Sequence, residues 1–145
     1  MAHFRQQIRA AVVARLAAGV AGVGGRVYAN RLHPLGDAEL PAISVEINDD
    51  QISQQTPLDP PTYLREAVVD VVIKAKSVTG VDDLLDDLCA EVEPLMHDLP
   101  ALGLVVLFER TAIGLSDDQE RLLGEARLTY RIPYQTEAAD PATEA

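Results

Sequence analysis

A strict alternation of apolar and mixed residues between Tyr63 and Lys76 constrains the fold more than any other feature of the sequence. Every second residue of its central part is apolar: Ala67, Val69, Val71, Ile73 and Ala75. The residues between them form a mixed set: Glu66, Val68, Asp70, Val72 and Lys74. Because successive side chains of a strand point to opposite faces, the segment predicts a long strand in a sheet. One face of that sheet would be covered by helices, and the other would meet a partner or water.

The remaining periodic segments predict an α+β fold. Apolar residues at helical spacing predict helices at about residues 3–18 and 80–99. Pro94 is expected to kink or break the second helix because proline lacks a backbone N–H. Period-two patterns predict the other strands at about residues 26–30, 42–47, 104–115 and 123–136. The predicted order is α-β-β-β-α-β-β, an α/β sandwich with a mainly antiparallel or mixed sheet and both helices packed on one face.

Two segments lack any periodic pattern. Residues 48–62 are rich in Asn, Asp, Gln and Ser and end with three prolines, which predicts a polar loop. A loop of about fifteen residues is long for a compact domain, and such loops are commonly functional or disordered. From Glu137 onward the composition supports no core. The sequence therefore predicts one domain over residues 1–136 and a flexible C-terminal tail over residues 137–145.

The charge balance excludes most nucleic-acid binders. The chain has 145 residues, and its 23 acidic and 12 basic residues give a formal net charge of −11. It has no cluster of Lys and Arg of the kind that replaces the counterions around phosphate. A protein that DNA passes without binding remains compatible with this charge, and so does a simple contribution to solubility. No apolar run approaches the roughly 20 residues of a membrane span.

No residue pattern indicates an active site, a cofactor site or a metal site. The glycines of residues 22–25 follow a helix and precede a strand, which is the reverse of a phosphate loop. The three histidines, His3, His33 and His97, lack partners at metal-ligand spacing. Four aspartates on the second helix are typical of a solvated helix face. Cys89, the single cysteine, lies on the apolar side of that helix. We therefore expect a chain that is not an enzyme.

The order of several short motifs resembles a known family. After the first helix come Gly24-Gly25-Arg26-Val27-Tyr28 and Leu40-Pro41-Ala42-Ile43-Ser44-Val45. The second helix contains Asp83-Leu84-Leu85-Asp86-Asp87-Leu88, and the last strand lies within residues 124–134. This arrangement, over about residues 4–136, is similar to the minor tail proteins of long-tailed phages and prophages that act as tail terminators.

The resemblance implies a structural role in virion assembly. Such proteins form a hexameric ring that caps the tail tube, ends its polymerisation and offers a surface for head–tail joining. The implied partners are further copies of the chain, the tail tube protein and a head-completion or neck protein, with DNA passing through the lumen. The implied location is the tail–neck region of the virion, after assembly in the cytoplasm of a bacterial host. No catalytic residues are carried over.

Two polar regions are candidate partner contacts. A ring needs two different patches on each subunit, and the 48–62 segment and the mixed faces of two strands qualify. The candidate residues are Asp49, Asp50, Gln51, Gln54, Gln55, Glu66, Asp70, Lys74, Arg127 and Arg131. Two alternatives stay open at this point. One is another phage neck component, such as a head–tail joining or tail completion protein, and the other is a non-viral module that binds a ligand or partner.

Overall fold

The computed structural model describes residues 2–29, 40–57, 59–77, 79–118 and 121–144. Two α-helices lie in these ranges, α1 (Phe4–Gly19) and α2 (Val81–Val92). The strands, in chain order, are β1 (Val27–Tyr28), β2 (Ala42–Gln55), β3 (Thr62–Ser77), β4 (Asp98–Leu99), β5 (Leu104–Val105), β6 (Leu107–Asp118), β7 (Arg121–Glu137) and β8 (Asp140–Glu144).

Six of these strands form the main sheet. Its order is β1-β2-β3-β7-β6, and β8 pairs with the end of β7. β1 runs parallel to β2, and the other pairings are antiparallel. β4 and β5 form a separate two-stranded sheet. The predicted α+β class and mainly antiparallel sheet are therefore confirmed, whereas β4, β5 and β8 are additions to the predicted order.

β3 is the central strand and shows the predicted alternation. It pairs with β7 from Thr62 to Ser77 and with β2 from Tyr63 to Lys74. Its apolar face is fully buried, at 0% exposure for Ala67, Val69, Val71, Ile73 and Ala75. The covered face of the sheet therefore follows directly from the period of two in the sequence.

Both helices pack on this same face. Near the start of α1, the Phe4 ring lies 5.2 Å from the ring of Tyr134 on β7. At the other end of β7, a Cβ on Gly124 would lie only 2.7 Å from Leu85 and 2.9 Å from Val81 of α2. Glycine suits this close approach of α2 to the strand, because a side chain there would force Leu85 and Val81 to shift. The predicted packing of two helices on one face is confirmed.

Pro94 ends the second helix, as predicted. α2 stops at Val92, and a single 3-10 turn over Glu93–Leu95 contains the proline. The predicted helix to residue 99 is therefore too long. Residues 98–99 form β4 instead, and the buried side chains of Leu99 and Leu104 join the main core.

The predicted polar loop over residues 48–62 is mostly a β-hairpin, and that prediction was wrong. β2 continues to Gln55 and stays paired with β3, through register shifts after Ile47 and after Ile52. We call this projection (residues 49–55 of β2 and 62–66 of β3) the hairpin arm. Residues 51–55 are exposed on both faces. A strand that buries neither face carries no apolar alternation, so period-two analysis cannot detect it.

The segment predicted to be a flexible tail forms a strand instead. Residues 140–144 are β8, which pairs with Thr136 and Glu137 of β7. β7 extends beyond the region that β6 pairs, and β8 lies along that remaining edge. Ala142 is buried, and its carbonyl oxygen accepts a hydrogen bond of 2.6 Å from the side-chain amide of Gln7. These contacts connect the end of the chain to α1 although its composition is polar.

A buried carboxylate fastens the base of the hairpin arm to the rest of the fold. The register shift after Ile47 turns Asp50 toward the helix side, opposite Ala67. Its Oδ2 accepts hydrogen bonds from Arg5 Nη1 at 2.7 Å, Arg65 Nη1 at 3.2 Å and Tyr134 Oη at 2.6 Å. The Asp50 side chain is only 6% exposed. Burial and the hydrogen bond to Asp50 raise the pKa of Tyr134 above its usual value. Asp50 thus joins α1, β2, β3 and β7.

Replacing Asp50 by Asn should destabilise the fold. The change removes the negative charge between two guanidinium groups, and that of Arg65 is only 10% exposed. We expect Asp50→Asn to lower the free energy of unfolding by about 3 kcal/mol, the range for breaking a buried ion pair. Asp49→Asn is the matched control, because the carboxylate of Asp49 is next to Asp50 in the sequence but is exposed. This change should alter the free energy of unfolding by less than about 0.5 kcal/mol. Equal urea unfolding curves for the two variants would contradict this role of Asp50.

Candidate functional site

The face of the sheet opposite the helices, which we call the distal face, carries most of the charged side chains of the sheet. It receives the even-numbered residues of β3 and the odd-numbered residues of β7. Because β3 and β7 are paired along their full length, residues distant in sequence become neighbours across the strands. Among the described side chains of β2, β3, β6 and β7, the charged residues on this face are Glu46, Asp49, Glu66, Asp70, Lys74, Lys76, Glu109, Arg110, Glu125, Arg127, Arg131 and Glu137.

Arg127 is the centre of one cluster on the distal face. Its Nη1 donates to Glu46 Oε2 at 2.9 Å and to Asp70 Oδ2 at 3.0 Å. Asp70 also accepts from Thr129 Oγ1 at 2.7 Å and from Asn48 Nδ2 at 2.8 Å. Burial acts to lower the pKa of Arg127, but its hydrogen bonds to the two carboxylates outweigh burial and raise it. The guanidinium therefore stays charged and links β2, β3 and β7.

Arg131 is the centre of a second, more exposed cluster. Its Nη1 donates to Glu66 Oε1 at 2.6 Å, and its Nη2 donates to Glu109 Oε1 at 3.0 Å. The side chains of all three residues are about one-third exposed, at 32%, 30% and 37%. Exposed ion pairs of this kind add little stability. These ion pairs do hold charged groups in fixed positions across β3, β7 and β6, where the groups are accessible to a partner.

The distal face is acidic even though Arg127 and Arg131 are paired. Each of these arginines lies between two carboxylates, so each cluster keeps one negative charge. Asp49, Glu125, Glu137, Lys74, Lys76 and Arg110 lie on the same face. The described side chains therefore place seven carboxylates and five cations there, a net charge of −2. Such a surface repels a polyanion at short range.

The structure brings most of the predicted contact residues to one side of the sheet. Glu66, Asp70, Lys74, Arg127 and Arg131 all lie on the distal face. The arm residues Asp49, Gln51 and Gln54 lie on the same side, opposite distal residues of β3, whereas Asp50 and Gln55 point to the helix side. Asp50 is held in the cluster at the base of the arm. That these residues contact a partner stays a prediction.

Sequence analysis did not select Glu46, Asn48, Glu109 and Thr129, which complete the two clusters. Glu46 lies directly opposite Asp70 in the β2–β3 register, and Thr129 lies opposite Asp70 in the β3–β7 register. The sequence could identify these partners only if the register of the strands were known, because the register decides which polar residues lie side by side. Asn48 and Glu109 lie at register shifts, after Ile47 and after Phe108, which the sequence does not reveal.

The described residues provide no arrangement suited to catalysis by a thiol or a metal. Cys89 is buried, and burial, followed by the nearby Glu93 and Asp86, raises the pKa of its thiol to about 11. The thiolate that would act as a nucleophile is therefore scarce at neutral pH. His3 Nδ1 accepts a hydrogen bond from the backbone N–H of Arg5, and His33 lies outside the described residues.

Metal sites and membrane-spanning helices are also absent from this described part of the chain. Within the described ranges, no group of three or more His, Cys, Asp or Glu residues has the geometry to hold a metal ion. No helix there has both the length and the apolar character needed to cross a membrane.

Comparison with solved structures shows that the fold has a known counterpart. A chain of the solved virion of a native gene transfer agent (GTA) particle has a similar structure, with a TM-score of 0.56 and 17% sequence identity. The alignment covers 87% of this chain and 94% of that one, and at this identity it shows a common fold. No curated protein matches the sequence significantly.

The family comparison is more specific. Residues 3–134 match the family described as phage minor tail protein U. The resemblance to phage minor tail proteins inferred from the motifs is confirmed at the level of the family, and it supports a structural role in the phage tail. Because the match spans nearly the whole chain, this protein belongs to the phage minor tail protein U family.

Proposed function

We propose that the protein is a tail terminator, a structural subunit that caps the phage tail tube and ends its polymerisation. The observation that carries this proposal is the family match over residues 3–134. The subunits form a ring, expected to be a hexamer, at the end of the tube. The opposite surface of the ring receives the head-completion protein, so the same ring serves head–tail joining in the neck of the virion. Assembly takes place in the cytoplasm of the bacterial host.

The distal face supports this role because it suits the wall of a channel for DNA. The channel of a capped tube must let DNA pass without holding it. The seven carboxylates and five cations of the distal face give it a net negative charge, and Arg127 and Arg131 are already paired with carboxylates. Arginines held in this way are poorly available for phosphate groups. The distal face is therefore the surface that we place toward the lumen.

Family membership argues against a non-viral binding module. It does not distinguish a terminator from a second kind of phage protein, so an experiment must do so. A head–tail joining or tail completion protein would also belong to the virion. It would bind on the head side and leave the length of the tube unchanged. A terminator acts on tube growth itself.

Growing tail tubes provide the test of capping. Purified chain is added to polymerising tail tube protein, tube lengths are measured by electron microscopy, and native mass spectrometry follows the chain alone and with tubes. We expect tubes to stop growing at low ratios of chain to tube protein, with the chain present as a closed ring in solution or on the tubes. Unchanged tube growth with a strictly monomeric chain would contradict the proposal. Unchanged growth with binding only to joined particles would favour the neck component.

The charge of the proposed channel gives a second test. Glu125→Lys reverses an exposed charge on the distal face, at a side chain that is 42% exposed. We expect particles with this variant to release DNA more slowly, by severalfold at low ionic strength, because the channel gains attraction for phosphate. Asp87→Lys makes the same charge change on the exposed side of α2 and is the matched control. Equal release rates for both variants and the native particle would show that the distal face does not line the channel.

A further inference from the structure

The exposed apolar side chains concentrate at two opposite edges of the sheet. Among the described residues, the large apolar side chains with high exposure are Ile52, Val105, Leu107, Phe108, Ile113 and Leu115, at 45–60%. Five of them lie on β5 and β6, and Ile52 lies on the hairpin arm. An isolated exposed apolar residue needs no explanation, but a group along a free edge marks an interaction site.

The first edge is β6. This strand pairs with β7 on one side, and no other described strand pairs with it. Phe108, Ile113 and Leu115 lie opposite core-facing residues of β7, so they point to the helix side of the sheet. α2 does not cover them there, since each remains about half exposed. Natural proteins rarely leave a strand of this length open and apolar, because it invites pairing with another chain.

The second edge is the outer edge of the hairpin arm. β1 pairs with β2 only at Ile43 and Ser44, and no strand of the described ranges pairs with the outer side of residues 49–55. Ile52 lies opposite Arg65, on the helix side of the sheet, and is 54% exposed. The arm therefore offers a second free edge, with an apolar side chain on the same side as those of β6.

The strand directions allow the two edges to pair. β2, β3, β7 and β6 follow one another in the sheet with antiparallel pairings, so β2 and β6 run in opposite directions. When the sheet of one copy continues into the sheet of the next, β6 and the neighbouring β2 are antiparallel. Two different patches then meet at every contact, which is the heterologous geometry that a closed ring requires.

The charges also match across these edges. Arg110 lies opposite Thr129, on the distal side of β6, and has no ion pair among the described residues. Asp49 lies opposite Val68, on the distal side of the arm, and its carboxylate accepts only from its own neighbours, Asp50 and Gln51. A free cation and a free carboxylate thus occupy the same side of the two edges. The side chains of Ile52 and Phe108 occupy the other side.

We infer that the hairpin arm of one copy adds to β6 of the next copy as an antiparallel strand and so builds the ring. With Asp49 opposite Arg110 on the distal side, the antiparallel register brings Ile52 beside Phe108 on the helix side. This strand addition provides main-chain hydrogen bonds for affinity, and the two side-chain contacts set the register. The inference rests on the proposed ring and specifies the surfaces that form it.

A charge exchange tests this contact. Arg110→Glu and Asp49→Arg are prepared separately and together, and ring formation is measured by native mass spectrometry with and without tail tubes. Each single variant should need at least tenfold more protein to form rings, because every contact of the ring gains a like-charge pair. The double variant should regain ring formation to within about threefold, because the pair is restored with its charges exchanged. Ile52→Lys should abolish rings, because it places a charge beside Phe108 in this register, and Ala90→Lys on the exposed side of α2 is its control.

Circular dichroism of each variant establishes that the monomer is folded. Single variants that form rings like the native chain, or a double variant that stays monomeric, would overturn this contact. If the native chain still stopped tube growth in that case, the proposed contact would be wrong but the terminator function would stand. Native chain that forms no ring, even on tubes, would overturn both.

Discussion

The pairing of β3 with β2 and β7 is the constraint on which the rest of the structure depends. Five apolar residues of β3 at 0% exposure fix the covered face, and both helices pack there. The same alternation places Glu66 and Asp70 on the distal face, where Arg131 and Arg127 join them to neighbouring strands. The alternation of apolar and mixed residues along β3 therefore determines both the covered face and the charged face of the sheet.

This division makes the sheet asymmetric, and the asymmetry suits a ring. The helices occupy one side and the edge strands remain available at both ends of the sheet order. A layer of helices needs more room than the bare side of a sheet, so sheets joined edge to edge curve with their helices outward. The distal face then lies toward the axis. The proposed channel wall and the proposed subunit contacts thus follow from the same architecture.

The segments rich in apolar residues could be predicted from the sequence, and the polar segments could not. A regular spacing of apolar residues marks α1, α2 and the central parts of β2, β3 and β7, because one face of each packs in the core. The hairpin arm and β8 are polar, and their strand structure depends on pairing with β3 and β7. The candidate site shows the same limit. Glu66, Asp70, Arg127 and Arg131 could be chosen from alternation, whereas Glu46 and Thr129 required the register, and the buried position of Asp50 required the register shift.

A cryo-electron microscopy reconstruction of tail tubes capped by this protein would test the account most directly. The account predicts one ring at one end of the tube, with α1 and α2 on its outer surface and Arg127, Arg131 and their carboxylate partners facing the lumen. Helices lining the lumen, or a chain that is absent from the ends of the tubes, would contradict it.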